Sequence, residues 1–160
     1  MRSNYSWEGA QIIIRQIREA FRGVRLDGGV GLKEGQVIDE YGTDEERAAA
    51  RGKDEKEDWG RIEVSALTTC QSSLYFFDSE GMRFHLPAFL LADIDSKLSM
   101  DLAFHLGGAP SHPDKFELLN QAQREAVGAF IDYMIEMRES AYMTEEMAAA
   151  RHSTWARGDV

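Results

Sequence analysis

The chain has one cysteine, Cys70, so no internal disulfide can form and its stability has to come from an apolar core. Long apolar runs are missing too. The longest, Phe84 to Leu91 broken by His85 and Ile12 to Ile14, fall far short of the ~20 residues that span a bilayer, so no membrane partner is expected. Met1 to Ala10 carries no apolar stretch of the kind a secretion signal needs, and with the lone thiol this makes a cytoplasmic location the expectation. Positive charge is scarce: 18 Lys and Arg stand against 28 Asp and Glu, a net charge of −10. Such a surface repels phosphate backbones, and direct binding to nucleic acid is not expected. Gly28, Gly29 and Gly31 follow no strand pattern and precede no Lys-Ser or Lys-Thr pair, so they read as a linker and not as a phosphate-cradling loop.

At 160 residues the chain is long enough for one domain that buries roughly two-thirds of its unfolded surface. The pattern predicts an α+β fold over 1–160: a mainly helical single domain with a central antiparallel β-hairpin. The hairpin spans 73–86, where two apolar runs flank Ser79-Glu80-Gly81, a three-residue loop with Gly in the left-handed position. In that register Phe76 faces Phe84 and Leu74 faces Leu86 on the core side, while Phe77 with Arg83 and Tyr75 with His85 take the other side. Pro87 then suits the first turn of a helix.

Around the hairpin, Ala10, Ile13, Ile14, Ile17, Ala20, Phe21 and Val24 recur at helical spacing, which predicts a helix over 7–22 with Ser6 as its cap. A helical segment over 33–62 follows, with Gly42 closing its first part and Thr43 with Glu46 capping the next. Helices are expected over 87–106 and 121–138, the latter capped by Asn120, and a last one over 144–155. Residues 62–73 fit a helical turn or a short strand equally well.

Several features together resemble an uncharacterised family of small bacterial domains of unknown function. They are Leu32 with Ile38-Asp39 and Tyr41, Asp58-Trp59 with Ile62, then Leu74, Phe76, Asp78, Gly81, Arg83-Phe84 and Leu86-Pro87-Ala88, and later Phe116, Leu119, Gln123, Ala126 and Phe130. The resemblance implies a compact α+β domain and brings no activity, catalytic residue or cofactor. It also implies an aromatic residue where this chain has His85.

No catalytic motif emerges. His85, His105, His112 and His152 include no pair at metal-binding helical spacing, and neither HExxH nor Cys-x-x-Cys occurs, so no metal and no cofactor are expected. Asp93, Asp95 and Asp101 with His105 and His112 form the one loose metal constellation, which an acidic helix edge followed by a Gly-Pro loop explains as well. Cys70 lacks any thiolate-activating neighbour and reads as an inert core residue. Asp39, Asp58 and Asp78 read as helix surface, cap and turn.

Charge is distributed unevenly instead. From Glu34 to Glu63, eleven acidic residues stand against five basic ones, six of the ten net negative charges. This favours a non-enzymatic, acidic protein-binding module of the immunity or antitoxin-like kind that takes a basic protein partner. Trp59 would be its anchor, Glu45, Glu46, Glu55, Glu57 and Asp58 its charged rim, and Arg83 a stacking residue. The other reading is a small enzyme with an acid/base or metal site around Arg83, His85 and the segment from Asp93 to His112. Against both stands a third: Trp59 buried, and the acids merely solvated.

Overall fold

In the computed structural model of the chain, which describes residues 2–98, 102–142 and 144–156, Asp78 begins a helix where the alternation predicts a hairpin. No strand occurs among the described residues, so the α+β class and its central hairpin are replaced by an all-helical fold. The helices are α1 (Arg2–Ala20), α2 (Leu32–Asp39), α3 (Asp44–Lys53), α4 (Val64–Thr69), α5 (Ser79–Ile94), α6 (Leu102–Gly107), α7 (Gln121–Tyr142) and α8 (Glu145–His152). Short 3₁₀ turns cover Trp59–Arg61, Gln71–Tyr75, Ala109–Ser111 and Pro113–Phe116.

The correction has a local cause. Ser79, Glu80 and Gly81 form the first turn of α5, and the Asp78 carboxylate accepts from the Gly81 N–H at 2.9 Å, an N-cap and not a hairpin turn. Gly81 has no positive φ; it is needed because a Cβ there would lie 2.6 Å from the Val30 carbonyl oxygen. From Gly81 to Leu90 every residue but Arg83 is buried. A helix enclosed on all sides carries no amphipathic period, so its apolar run imitates the alternation of a half-buried strand. Pro87 lies inside α5, not in its first turn, and its missing N–H withdraws the helical donor from the Arg83 carbonyl.

Asp78 has a second task. The same oxygen accepts from the Val30 N–H at 2.9 Å, pinning the Leu26–Gly31 loop to the start of α5. Asp78→Ala should therefore cost about 2 kcal/mol, the worth of a helix cap plus one partly buried hydrogen bond. Asp78→Asn, which keeps an acceptor oxygen, should recover most of it. Urea unfolding midpoints at unchanged m-value check both.

By Cα proximity the chain divides into two compact units. One gathers α1, α6, α7 and α8. Here α1 packs along α7, with Gly9 close to the Tyr133 ring and the Gln123 amide capping the Ala20 carbonyl at 3.2 Å. Helix α1 starts at Arg2, so Ser6 lies within it. Asn120 and Gln123 cap α7 reciprocally at 2.9 and 3.0 Å, and non-helical dihedrals at Arg138 break it near the predicted end. Buried Trp155 donates from Nε1 to the Leu106 carbonyl at 3.0 Å.

The other unit contains α2 to α5 and the stretch Asp114–Leu118. Its core is Leu26, Leu32, Trp59, Leu67, Leu74, Phe77 and the enclosed α5. Lys115 closes the Gln71–Tyr75 turn by donating to the Leu74 and Tyr75 carbonyls at 3.0 and 2.8 Å, and burial pushes its ammonium pKa below the usual lysine range.

Candidate functional site

Helix α3 buries none of its side chains, so something other than apolar packing must hold it. Polar clamps do. Glu34, buried at the start of α2, accepts from the Gly31 N–H at 2.9 Å and from Arg47 Nε of α3 at 2.6 Å. Arg51, one turn on, donates to the Asp27 and Gly29 carbonyls at 2.8 and 3.3 Å and lies 3.5 Å from Glu34. A buried carboxylate with two guanidinium partners fixes geometry more than it adds stability, and here the geometry is an α3 presented to solvent.

Between α2 and α3 the chain turns at Tyr41. Its N–H bonds to the Ile38 carbonyl and that of Gly42 to Val37, at 3.1 and 2.9 Å, a Schellman closure. The left-handed residue in this motif is usually Gly; here it is Tyr41, at φ 58°. Gly42, which the sequence marks as the helix stop, is reserved for another purpose, since a Cβ there would overlap the Val37 side chain. Tyr41 is 96% exposed. Around it in sequence Asp39, Glu40, Asp44, Glu45 and Glu46 are exposed as well, the last three filling the first turn of α3, where negative charge suits the helix dipole.

The sequence-predicted site residues separate. Glu45 and Glu46 lie on this acidic turn. Glu55 is spent on the local chain, accepting from the Glu57 and Asp58 N–H groups at 3.0 and 3.1 Å. Glu57 is 3.3 Å from Arg25, and Asp58 caps the Trp59–Arg61 turn through the Gly60 N–H at 2.9 Å. Trp59 is only 6% exposed and docks that turn on α5, so its side chain belongs to the core. Arg83 does not stack on Phe77: its Nη2 is 3.6 Å from Asp27, and its Nε is buried without a hydrogen-bond partner. Tyr41 is an exposed aromatic at this turn that sequence reasoning missed, because a Tyr-Gly pair after a helix points to the glycine as the left-handed residue.

A cavity of about 330 Å³ opens in the same unit between the start of α2, the end of α3, the 61–63 turn and α4, with His85 of α5 also lining it. Leu32, Ile62 and Ala66 supply apolar wall. Asp54 caps α2, accepting from the Lys33 and Glu34 N–H groups at 2.7 and 3.1 Å; Gly31 must lack a Cβ to admit the carboxylate. Burial nevertheless raises the Asp54 pKa above the usual range. His85 is fully buried and stacks on Phe77 at 4.4 Å with the rings parallel. Its Nδ1 lies 2.7 Å from the Gly81 carbonyl, so Nδ1 carries the proton and Nε2 is left a bare acceptor with no partner. Desolvation lowers the His85 pKa to about 4.

The residues of the expected acid/base or metal site, Arg83, His85 and the segment from Asp93 to His112, are divided between the two units. Asp93 and Asp95 belong to one unit and His105 and His112 to the other, while Asp101 lies outside the described residues. Among the described residues no three His, Cys, Asp or Glu side chains converge as metal ligands. Cys70 is buried, and desolvation raises its pKa, away from the thiolate. No described helix is long and apolar enough to cross a membrane.

A family model matches residues 10–158 of the chain; it describes a family of unknown function, DUF6714. No curated protein and no solved structure matches.

Proposed function

For a chain that belongs to DUF6714, a family of unknown function, we propose a role as a non-enzymatic binding module whose acidic turn between α2 and α3 receives a basic protein partner. Tyr41 carries the reading. An aromatic side chain left in water at a left-handed φ costs about 1 kcal/mol relative to Asn or Gly, a cost that function explains better than folding does. Five exposed carboxylates in its sequence neighbourhood supply the steering field, and a central Tyr ringed by charge is a common composition of an interface hot spot. An immunity or antitoxin-like protein, capping a basic target, is the functional type this surface suits.

Two results follow. Tyr41→Asn should raise folding stability by roughly 0.5–1 kcal/mol, since Asn tolerates the left-handed region, while weakening the partner complex. Stability and binding would thus move in opposite directions. For a partner captured by a photo-reactive residue at position 41, reversing Asp39, Glu45 and Glu46, all exposed on this turn, to Lys should slow association markedly at low salt and little at high salt. An association rate indifferent to both the reversal and the salt would reduce this face to solvated surface.

A further inference from the structure

We infer that α1 is the contact face of a two-fold symmetric homodimer, in which Ile12 meets Ile12 of a second copy between two reciprocal Glu8–Arg15 ion pairs. This face belongs to the unit of α1 and α7, not to that of the acidic turn. Ile12 is 62% exposed, whereas Ile13 and Ile14 are half-buried and Ile17 is buried. Beside it, between α1 and α7, runs a shallow groove of about 470 Å³ with Ala20 and Ala122 in its wall. Glu8, four residues before Ile12, and Arg15, three after it, are exposed, and neither has a hydrogen-bond or ion-pair partner among the described residues. Seven residues apart on one helix, they stand about 10 Å apart along its axis and within about 20° of each other around it. They share a flank and cannot reach each other.

The occupant is a second copy because a two-fold contact needs the complement of each group on the same chain, at a mirrored distance from the axis. Helix α1 meets that condition. The midpoint between Glu8 and Arg15 falls beside Ile12, so a two-fold axis there, perpendicular to the helix, sets two α1 helices antiparallel. Glu8 of each copy then lies opposite Arg15 of the other, the Ile12 side chains lie at the centre, and the groove beside each gives the opposite side chain room to pack. The remaining charges of the groove are already engaged. Glu19 holds Arg22 at 2.8 Å, and Glu125 accepts from Gln121 at 3.2 Å. A net charge of −10 opposes self-association over most of the surface, but from Glu8 to Arg22 the chain carries three arginines against two glutamates. Two copies meet here without opposing acidic faces.

Sedimentation equilibrium of the full chain tests this. It should show a monomer–dimer equilibrium with a dissociation constant on the order of 10 µM, as suits a contact made by one helix face. Ile12→Gln should weaken it about tenfold or more, and so should Glu8→Arg and Arg15→Glu singly, each of which sets like charges opposite one another. All three positions are exposed, so the unfolding midpoint of the dilute monomer should stay in place. The decisive arm uses reciprocity. An equimolar mixture of the Glu8→Arg and Arg15→Glu chains restores both ion pairs, and it should associate within about threefold of the wild-type affinity although neither chain does so alone. A chain that stays monomeric to about 1 mM, leaving this face to another partner or to solvent, would overturn the proposal. So would a dimer indifferent to the three substitutions, or a mixture that associates no better than its components.

Discussion

Phe77→Ala should cost about 3–5 kcal/mol, as much as Phe84→Ala, whereas Phe76→Ala should cost clearly less. The order is the reverse of what a hairpin over 73–86 requires. There, Phe76 and Phe84 would oppose each other in the core and Phe77 would face outward. In the structure Phe77 follows the Gln71–Tyr75 turn and is 2% exposed, with its ring stacked on His85 and edge-on to Phe89 at 6.4 Å. Phe84 is fully buried one turn into α5, and Phe76 is half-buried. Truncating either enclosed ring removes apolar area and leaves a cavity that the surrounding helices refill only in part. Denaturant midpoints of the three variants decide it: a Phe76→Ala loss equal to or above that of Phe77→Ala would contradict the packing of α5.

Much of the helical layout is legible in the sequence because it depends on local chemistry. Asn120 with Gln123 three residues on, and Thr43, whose hydroxyl accepts from the Glu46 N–H at 3.1 Å, cap as their spacing predicts. The amphipathic periods of α1 and α7 lie close to their predicted ranges. Where the chain has no exposed face, that signal vanishes: α5 is enclosed, and the sequence Asp-Ser-Glu-Gly suits a hairpin turn as readily as a helix cap. The residue that tips the balance, Val30, is far away in sequence, and its N–H is the second donor to Asp78. Long-range polar partners also explain why the site was illegible. Nothing around Asp54 announces that it caps α2, and nothing around Glu34 announces Arg47. Trp59 shows the converse: a tryptophan surrounded by carboxylates in sequence is directed inward, and the acids remain outside for the ordinary reason that they cannot follow it.

Acid should destabilise this protein through His85 by about 3 kcal/mol between neutral pH and pH 4. Burial holds the folded-state pKa at about 4, below the ordinary 6.5, because the ring has exchanged water for Phe77, Phe84 and an Nε2 with no partner. The unfolded chain therefore takes up a proton near pH 6.5, while the folded chain resists until about pH 4. Across that window the unfolded state binds more protons, so stability rises with pH and falls as pH falls. The contribution is complete above about pH 6.5 and lost as pH falls to about 4, with a slope of at most about 1.4 kcal/mol per pH unit. Asp54 opposes it, since its raised pKa favours the folded state as acid is added, so the wild-type curve alone is not diagnostic. The difference curve is. His85→Phe keeps a ring against Phe77 and removes the titrating nitrogen, and subtracting its unfolding free energies from those of the wild type at intervals from pH 7.5 to 4 should isolate a single step of this size and sign. A difference curve flat across that window would mean that His85 is hydrated in the folded state, and the closed, unpartnered ring described here would be wrong.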